Sequence, residues 1–319
     1  MKLFSIVQSL LHRFGLHPRR WLAAFVSYPQ FLGYVRPQLA WSSGEEFLVR
    51  RKLLARAWEP RTLRAPVGKR ILALCPHPDD ESIGAGGFLL AHSDISEIHL
   101  VCVYNGEGGG RLVDESGMDA ESAARRMTET RRAEFGKVAH ALHAASVRHL
   151  GLPADDFPCS TAATSQLRTI VDEIQPDLVL LPWFLDDHTD HRRVNLLLAW
   201  ACPDLDAAVL AYEIWSLLEP NAVFDISQQL SAKLALIRFY ESQLRTVDYV
   251  SYALGLARVR AYHAAVQTRR GGAAEAFVAL PGRDYCEWVR ELYGAPGRLR
   301  DGAEQLLGLV PTSTPAAAR

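Results

Sequence analysis

From residue 70 onward, short and nearly continuous apolar runs alternate with longer amphipathic stretches. Ile71-Leu72-Ala73-Leu74-Cys75 and Leu178-Val179-Leu180-Leu181 are too short for helices and are bounded by Pro and Asp. That is the pattern of strands buried on both faces. The pattern predicts strands at 70–75, 98–104, 147–150, 178–182 and 209–214. It predicts helices at 82–92, 120–145, 164–174 and 192–201, with helices filling most of 228–268. Strand–helix alternation of this kind implies an α/β fold, three-layered (α/β/α) and Rossmann-like, with a mostly parallel sheet.

Two of the predicted strands end in chemistry. Pro76-His77-Pro78-Asp79-Asp80-Glu81 follows the first, and His188-Thr189-Asp190-His191 follows the strand at 178–182. In open α/β sheets the functional crevice lies outside the carboxyl ends of the strands. Two remote segments therefore bring imidazoles and carboxylates to one sheet edge, a constellation suited to a hydrolytic metal site. Such a site uses three protein ligands, keeps a position open for water and lowers the pKa of that water. Adjacent Asp79 and Asp80 can divide the work, one binding the metal and the other taking the proton. His188 and His191, three apart, face one pocket if they begin a helix. Asp190 is placed to orient an imidazole. Alone, a His-Pro-Asp turn is an Asx cap and a His-x-x-His is a solvated helix start; the pairing is what carries the argument.

Before residue 67 the pattern is different. Leu3, Phe4, Val7, Leu10, Leu11 and Phe14 form one helical stripe, with Lys2, Ser5, Ser9, His12 and Arg13 elsewhere. No acidic residue precedes Glu45, while Arg19, Arg20 and Arg36 add positive charge. Residues 1–66 are expected to be a basic amphipathic helical extension. It either docks on the catalytic domain or on a second subunit, as in a homo-oligomer, or lies through residues 1–35 on an anionic membrane surface. The catalytic domain is expected over 67–296, with a mobile tail at 297–319.

Composition narrows the classes. A net charge of −1 over 319 residues gives no basic field, so nucleic acid is not an expected partner. The five cysteines lack CxxC spacing, which suits a reducing, cytoplasmic setting. No run reaches the ~18–20 uninterrupted apolar residues of a membrane span. Gly84-Ala85-Gly86-Gly87 is not a dinucleotide fingerprint and is expected to serve close helix–sheet packing. Asn105 to Gly110 is expected to be either a substrate-gating loop or a simple flexible connection.

The two motifs together resemble the PIG-L/LmbE-like family of metal-dependent N-deacetylases, which act on N-acetylglucosaminyl conjugates and related amido sugars. The family's (P/A)HPDDE matches residues 76–81, and its HPDH matches His188-Thr189-Asp190-His191 with Thr in place of Pro. The Arg131 and Glu134 pair, Leu150-Gly151-Leu152-Pro153, Tyr212-Glu213-Ile214-Trp215 and Tyr240-Glu241-Ser242-Gln243 are similar to further family segments. The likeness covers about 70–245. It implies an LmbE-like fold and a zinc site of His77, Asp80 and His191. It implies Asp79 as the general base that activates metal-bound water, and His188, supported by Asp190, as the group that stabilises the oxyanion. Arg131 matches a substrate-binding position in some members; its other reading is a helix-surface ion pair with Glu134. Some members place a Tyr where this chain has Asp186, and Asp186 and Asp187 are expected to be solvated or to support the ligands rather than bind metal. A His2Asp set accepts zinc, iron(II) or cobalt.

The expected function is removal of an N-acetyl or short N-acyl group from an amino-sugar-containing small molecule or glycoconjugate. The alternatives are an amidase of the same fold acting on a thiol conjugate or secondary metabolite, and a non-catalytic sugar-binding module. Specificity is expected from loops at 105–119, 153–163 and 183–187, where Asp155, Asp156, Asp186 and Asp187 make the rim acidic.

Overall fold

The structure is a computed structural model and describes residues 60–112, 117–152, 160–262 and 272–293. The N-terminal extension, apart from its last residues, the C-terminal tail, and Asp155 and Asp156 lie outside the described residues.

Among the described residues eight strands form one sheet. They are β1 (Arg61–Leu63), β2 (Arg70–Cys75), β3 (Glu97–Tyr104), β4 (Ser146–Leu152), β5 (Leu178–Pro182), β6 (Ala208–Tyr212), β7 (Ala222–Asp225) and β8 (Ala274–Pro281). Their order is β1-β7-β8-β6-β5-β2-β3-β4. Only β8 runs against the others, antiparallel to both β6 and β7. The helices are α1 (Asp80–His92), α2 (Ala120–Ala141), α3 (Thr161–Ile174), α4 (Thr189–Ala201), α5 (Leu230–Arg238), α6 (Glu241–Leu244), α7 (Tyr249–Arg260) and α8 (Gly282–Tyr293).

Alternation along the strands divides the core. Ile71, Ala73 and Cys75 join a cluster with Phe88 of α1, Phe135 and Val138 of α2, Leu236 of α5 and Ala253 of α7. Leu72 and Leu74 are equally buried but point to the opposite face, which α3, α4 and α8 cover. Burial on both faces explains why the central strands read as continuous apolar runs.

Two differences from the sequence reading concern edges. The expected boundary between residues 66 and 67 falls inside the sheet domain, because Arg61–Leu63 pairs in parallel with Ala222–Asp225. The strands β7 and β8 lay in stretches with no strand prediction. Ala222–Asp225 is short, and Ala274–Pro281 is Ala-rich and interrupted by Glu275, so their apolar signals are weak. Glu275 is nevertheless buried. Its carboxylate accepts the N–H groups of Gly87 and Phe88 at 2.8 and 2.7 Å and pairs with Lys233 Nζ at 2.6 Å. These donors are free because α1 kinks at Ala85 (φ −137°).

The glycines of α1 serve close packing, as expected. A Cβ on Gly84 would sit 2.1 Å from the Tyr212 ring, and one on Gly87 would sit 2.6 Å from Ile226. Strand β2 is flanked by β3 and β5. The chain leaves β2 toward β3 and later returns on its other side, so the switch point lies between β2 and β5. Among the described residues no helix is long and apolar enough to cross a membrane.

Candidate active site

The two motifs emerge at that switch point. The first forms the turn between β2 and α1. Asp79 is the residue before the helix and holds φ at +125°, a region that L residues other than Gly avoid. Such strain persists only where neighbours impose it. The Asp79 carbonyl accepts from the N–H groups of Ser82 and Ile83, both at 3.0 Å. Its own N–H donates to Glu81 Oε2 at 3.3 Å. Arg131, from α2, donates through Nη2 to the Pro78 carbonyl at 2.6 Å and to Asp79 Oδ2 at 3.2 Å.

The second motif is held locally. His188 caps α4, its Nδ1 accepting the Asp190 N–H at 3.2 Å. His191, one turn on, is fully buried and stacks beside it, ring centroids 4.8 Å apart. Both rings lie beside His77, with centroids 5.1 and 5.7 Å from its ring.

His77 Nδ1 and His191 Nε2 each lie 3.4 Å from the same atom, Asp80 Oδ2. Both nitrogens of His191 are buried without a geometrically acceptable hydrogen bond. Ligands at about 2.0–2.1 Å from a tetrahedral zinc ion sit roughly 3.3–3.4 Å from one another. The two distances to Asp80 Oδ2 are those between corners of such a site, the donors of all three residues lie within 4.8 Å of one another, and one of them is an orphaned buried nitrogen. A second, overlapping set of donors, His77, His188 and Asp190, lies within 4.8 Å.

The far sides of both imidazoles are also engaged. His77 Nε2 meets Asp190 Oδ2 at 3.1 Å, and His191 Nδ1 meets Asp186 Oδ1 at 3.2 Å. Carboxylates in this position fix the tautomer and orientation of a ligating histidine. Asp186 is anchored in turn by the N–H groups of His188 and Trp215, both at 2.9 Å. Two expectations are corrected here. Asp190 hydrogen-bonds His77 and Arg193 rather than His188, because its backbone N–H already occupies His188 Nδ1. Asp186 is fully buried against His191, in line with a group that supports a ligand and not with an acidic solvated rim, whereas Asp187 is exposed.

The buried carboxylates set the electrostatics of this cluster. Burial lowers the pKa of His191, but Asp80 and Asp186 outweigh it and hold the imidazole up at about 10. Burial raises Asp80, and its histidine neighbours overcome this and keep it well below the usual carboxylate range. Asp79 behaves oppositely. Burial pushes it up to about 7, against the pull of Arg131. His188 is lowered by burial and by the neighbouring imidazoles. One carboxylate is thus poised as an acid–base group beside another held as an anion.

Arg131 and Glu134 do not pair with each other. Arg131 is buried and serves the Asp79 turn, and its Nη1 donates to the Gly106 carbonyl at 3.1 Å. Glu134 accepts the Ser242 N–H at 2.8 Å and the Ser242 hydroxyl at 2.7 Å. The glycine-rich loop after β3 is packed, not merely flexible. A Cβ on Gly106 (φ +74°) would lie 2.8 Å from Arg131 Nη1, and one on Gly110 (φ +82°) 2.2 Å from Gln243 Nε2.

Two residues that no role was expected of complete the site. Tyr240 donates to Glu81 Oε1 at 2.5 Å, tying the first turn to the segment before α6. Trp215 extends from the loop after β6 toward His188, with ring centroids 6.5 Å apart. Their only sequence signal was the weak likeness of 212–215 and 240–243 to family segments.

The fold and geometry define an α/β protein with a candidate cation site at its switch point, flanked by an acid–base carboxylate. Residues 72–202 match the family model described as "PIG-L: GlcNAc-PI de-N-acetylase". Over 193 residues the chain is 28% identical to the diacetylchitobiose deacetylase of Thermococcus kodakarensis, a match spanning 55% of this chain and 70% of that protein. The structure of N,N'-diacetylchitobiose deacetylase from Pyrococcus horikoshii, complexed with an inhibitor, is similar with a TM-score of 0.57 at 25% identity. It covers 76% of this chain and 94% of that one. The 4-carboxy-2-hydroxymuconate hydratase of Pseudomonas putida KT2440 is similar in fold, with a TM-score of 0.53 at 20% identity over 66% of this chain and 96% of that one. The sheet alone therefore does not fix the reaction; the site must.

Proposed function

We infer that this protein is a metal-dependent hydrolase that removes an N-acetyl or short N-acyl group from an amino-sugar conjugate. The observation that carries this is the convergence of His77 Nδ1 and His191 Nε2 on Asp80 Oδ2 at 3.4 Å, with Asp79 buried alongside. The match to the PIG-L family model and the likeness to diacetylchitobiose deacetylases support the reaction class and the sugar.

His77, Asp80 and His191 would hold the metal. Two imidazoles and one carboxylate suit zinc, and also iron(II) or cobalt. A bound divalent ion supplies Lewis acidity for the amide carbonyl and for water. Asp79 takes the proton from the attacking water and returns it to the leaving amine. Its elevated pKa suits both halves of that task, and Arg131 positions it through the Pro78 carbonyl and the Asp79 carboxylate. His188, partly exposed at the pocket wall, donates to the oxygen on which charge develops. Asp190 and Asp186 orient His77 and His191. The products are a carboxylate and a free amino sugar.

The test is acetate release from N-acetylated sugars in free, nucleotide-linked, lipid-linked and thiol-conjugated forms. Zinc is supplied, with Asp79→Asn as the blank. Release above the blank supports the reading and names the conjugate. No release from folded, metal-loaded protein refutes it.

A further inference from the structure

We propose that Trp215 is a stacking platform for the pyranose ring of the substrate, which makes cyclic amino sugars, rather than open-chain amides, the substrates of this site. The proposal rests on the hydrolase reading above and deepens it by fixing a substrate class and a specificity residue.

The indole is 48% exposed, while its backbone is anchored by Asp186 and its ring meets Tyr249. Its backbone N–H donates to Asp186 Oδ2 at 2.9 Å, and the other oxygen of that carboxylate meets His191. The platform and a candidate metal ligand thus share one anchor. The preceding residue, Ile214, is buried, and its carbonyl accepts the hydroxyl of Tyr252. Tyr249 meets the indole edge to face, with centroids 6.0 Å apart and planes at 74°. The indole and the His188 imidazole are inclined by only 28°. The sequence of rings from the buried His191 through His188 to Trp215 leads outward from the candidate cation site.

A large aromatic ring held rigidly but left half in water loses hydrophobic stabilisation that burial would recover. At the rim of a polar site such a ring marks a ligand contact. A pyranose has one face of C–H groups, apolar and weakly positive, while its hydroxyls project sideways. That face complements the negative face of an indole. An acyl group placed at His77, Asp80, His191 and His188 would carry its sugar ring outward, toward Trp215. An open-chain amide offers no such face.

The experiment compares the methyl glycoside of N-acetylglucosamine with N-acetylglucosaminitol, which carries the same amide and hydroxyls on an open chain. Zinc-loaded wild type, Trp215→Ala and Trp215→Phe are used, each checked for folding by its circular-dichroism melt. Wild type should favour the ring. Trp215→Ala should lose about 5- to 10-fold in kcat/KM on the glycoside, mostly through KM, and with it the preference. Trp215→Phe should restore most of it. Should Trp215→Ala not fold, Trp215→Leu keeps apolar bulk without an aromatic face and makes the same comparison. A ring preference that survives in the non-aromatic variant overturns the proposal.

Calorimetric titration with methyl glucosaminide separates the two readings. If wild type releases no acetate yet binds this ring through Trp215, the hydrolase reading falls and the platform stands. If binding is absent or independent of Trp215, the platform falls as well.

Discussion

The two halves of the candidate site are built in opposite ways. The His188-Thr189-Asp190-His191 turn is a helix start. His188 is its cap, the spacing of its rings follows from one helical turn, and its further support comes chiefly from Asp186, two residues before His188. The His77-Pro78-Asp79-Asp80-Glu81 turn holds a strained backbone that α2 and the segment before α6 fix from far along the chain. The second half supplies imidazole with little backbone strain. The first half places Asp79 and Asp80, neighbours in sequence, in different electrostatic settings, and a relaxed helix start could not separate them in this way. The second half thus brings one candidate ligand, His191, and the candidate oxyanion donor, whereas the first brings two candidate ligands, His77 and Asp80, together with the proton chemistry.

Substitutions can break that division. The largest effect is expected for His191→Ala, which should purify without stoichiometric metal and release acetate at the background rate. Full occupancy by elemental analysis would remove His191 from the ligand set. Asp79→Asn should keep its metal and lose about 10²–10⁴-fold in turnover, the usual contribution of a general base. Comparable turnover in that variant would transfer the base to another group.

Asp186→Asn probes the supports of the second half. Metal affinity should weaken by about 10–100-fold, as for other carboxylates behind a ligating histidine. Saturating metal should restore most of the turnover, and a competition titration with a chelator measures this. Arg131→Met probes the first half. Removing the guanidinium takes away the charge that pulls the Asp79 pKa down, so Asp79 should hold its proton to higher pH. The acid limb of kcat/KM should then move upward, with metal affinity unchanged. A limb that stays in place would detach Arg131 from the base. The smallest change in chemistry is expected for Tyr240→Phe. It leaves the buried Glu81 carboxylate short of a donor, which costs about 1–3 kcal/mol by denaturant unfolding.

Much of this molecule is legible before folding. The central strands β2, β3 and β5 announce themselves because burial on both faces demands continuous apolar runs. The two motifs announce the crevice because they follow such runs. Strands β7 and β8 are not legible in this way. They lie toward the β1 side of the sheet, are short or Ala-rich, and depend on pairing with each other, which no local pattern encodes. Asp190 was assigned to the wrong imidazole for a related reason. Spacing puts it near His188 only; the fold brings in His77 from 113 residues away, and the backbone of the α4 first turn occupies His188 Nδ1.

The sequence by itself determined the element types near the sheet centre, the edge at which His77, Asp80 and His191 gather, and their chemistry. These follow from side-chain period and residue type. The tertiary structure alone decided that Arg131 turns away from Glu134 to clamp Asp79, and that the glycine loop is shaped around a guanidinium. It also decided that Asp186 is buried and that Trp215 stands beside His188. Each of these depends on groups 25 or more residues apart meeting, and the first three on their meeting in a buried space, where an unmatched charge is costly and only one partner is within reach.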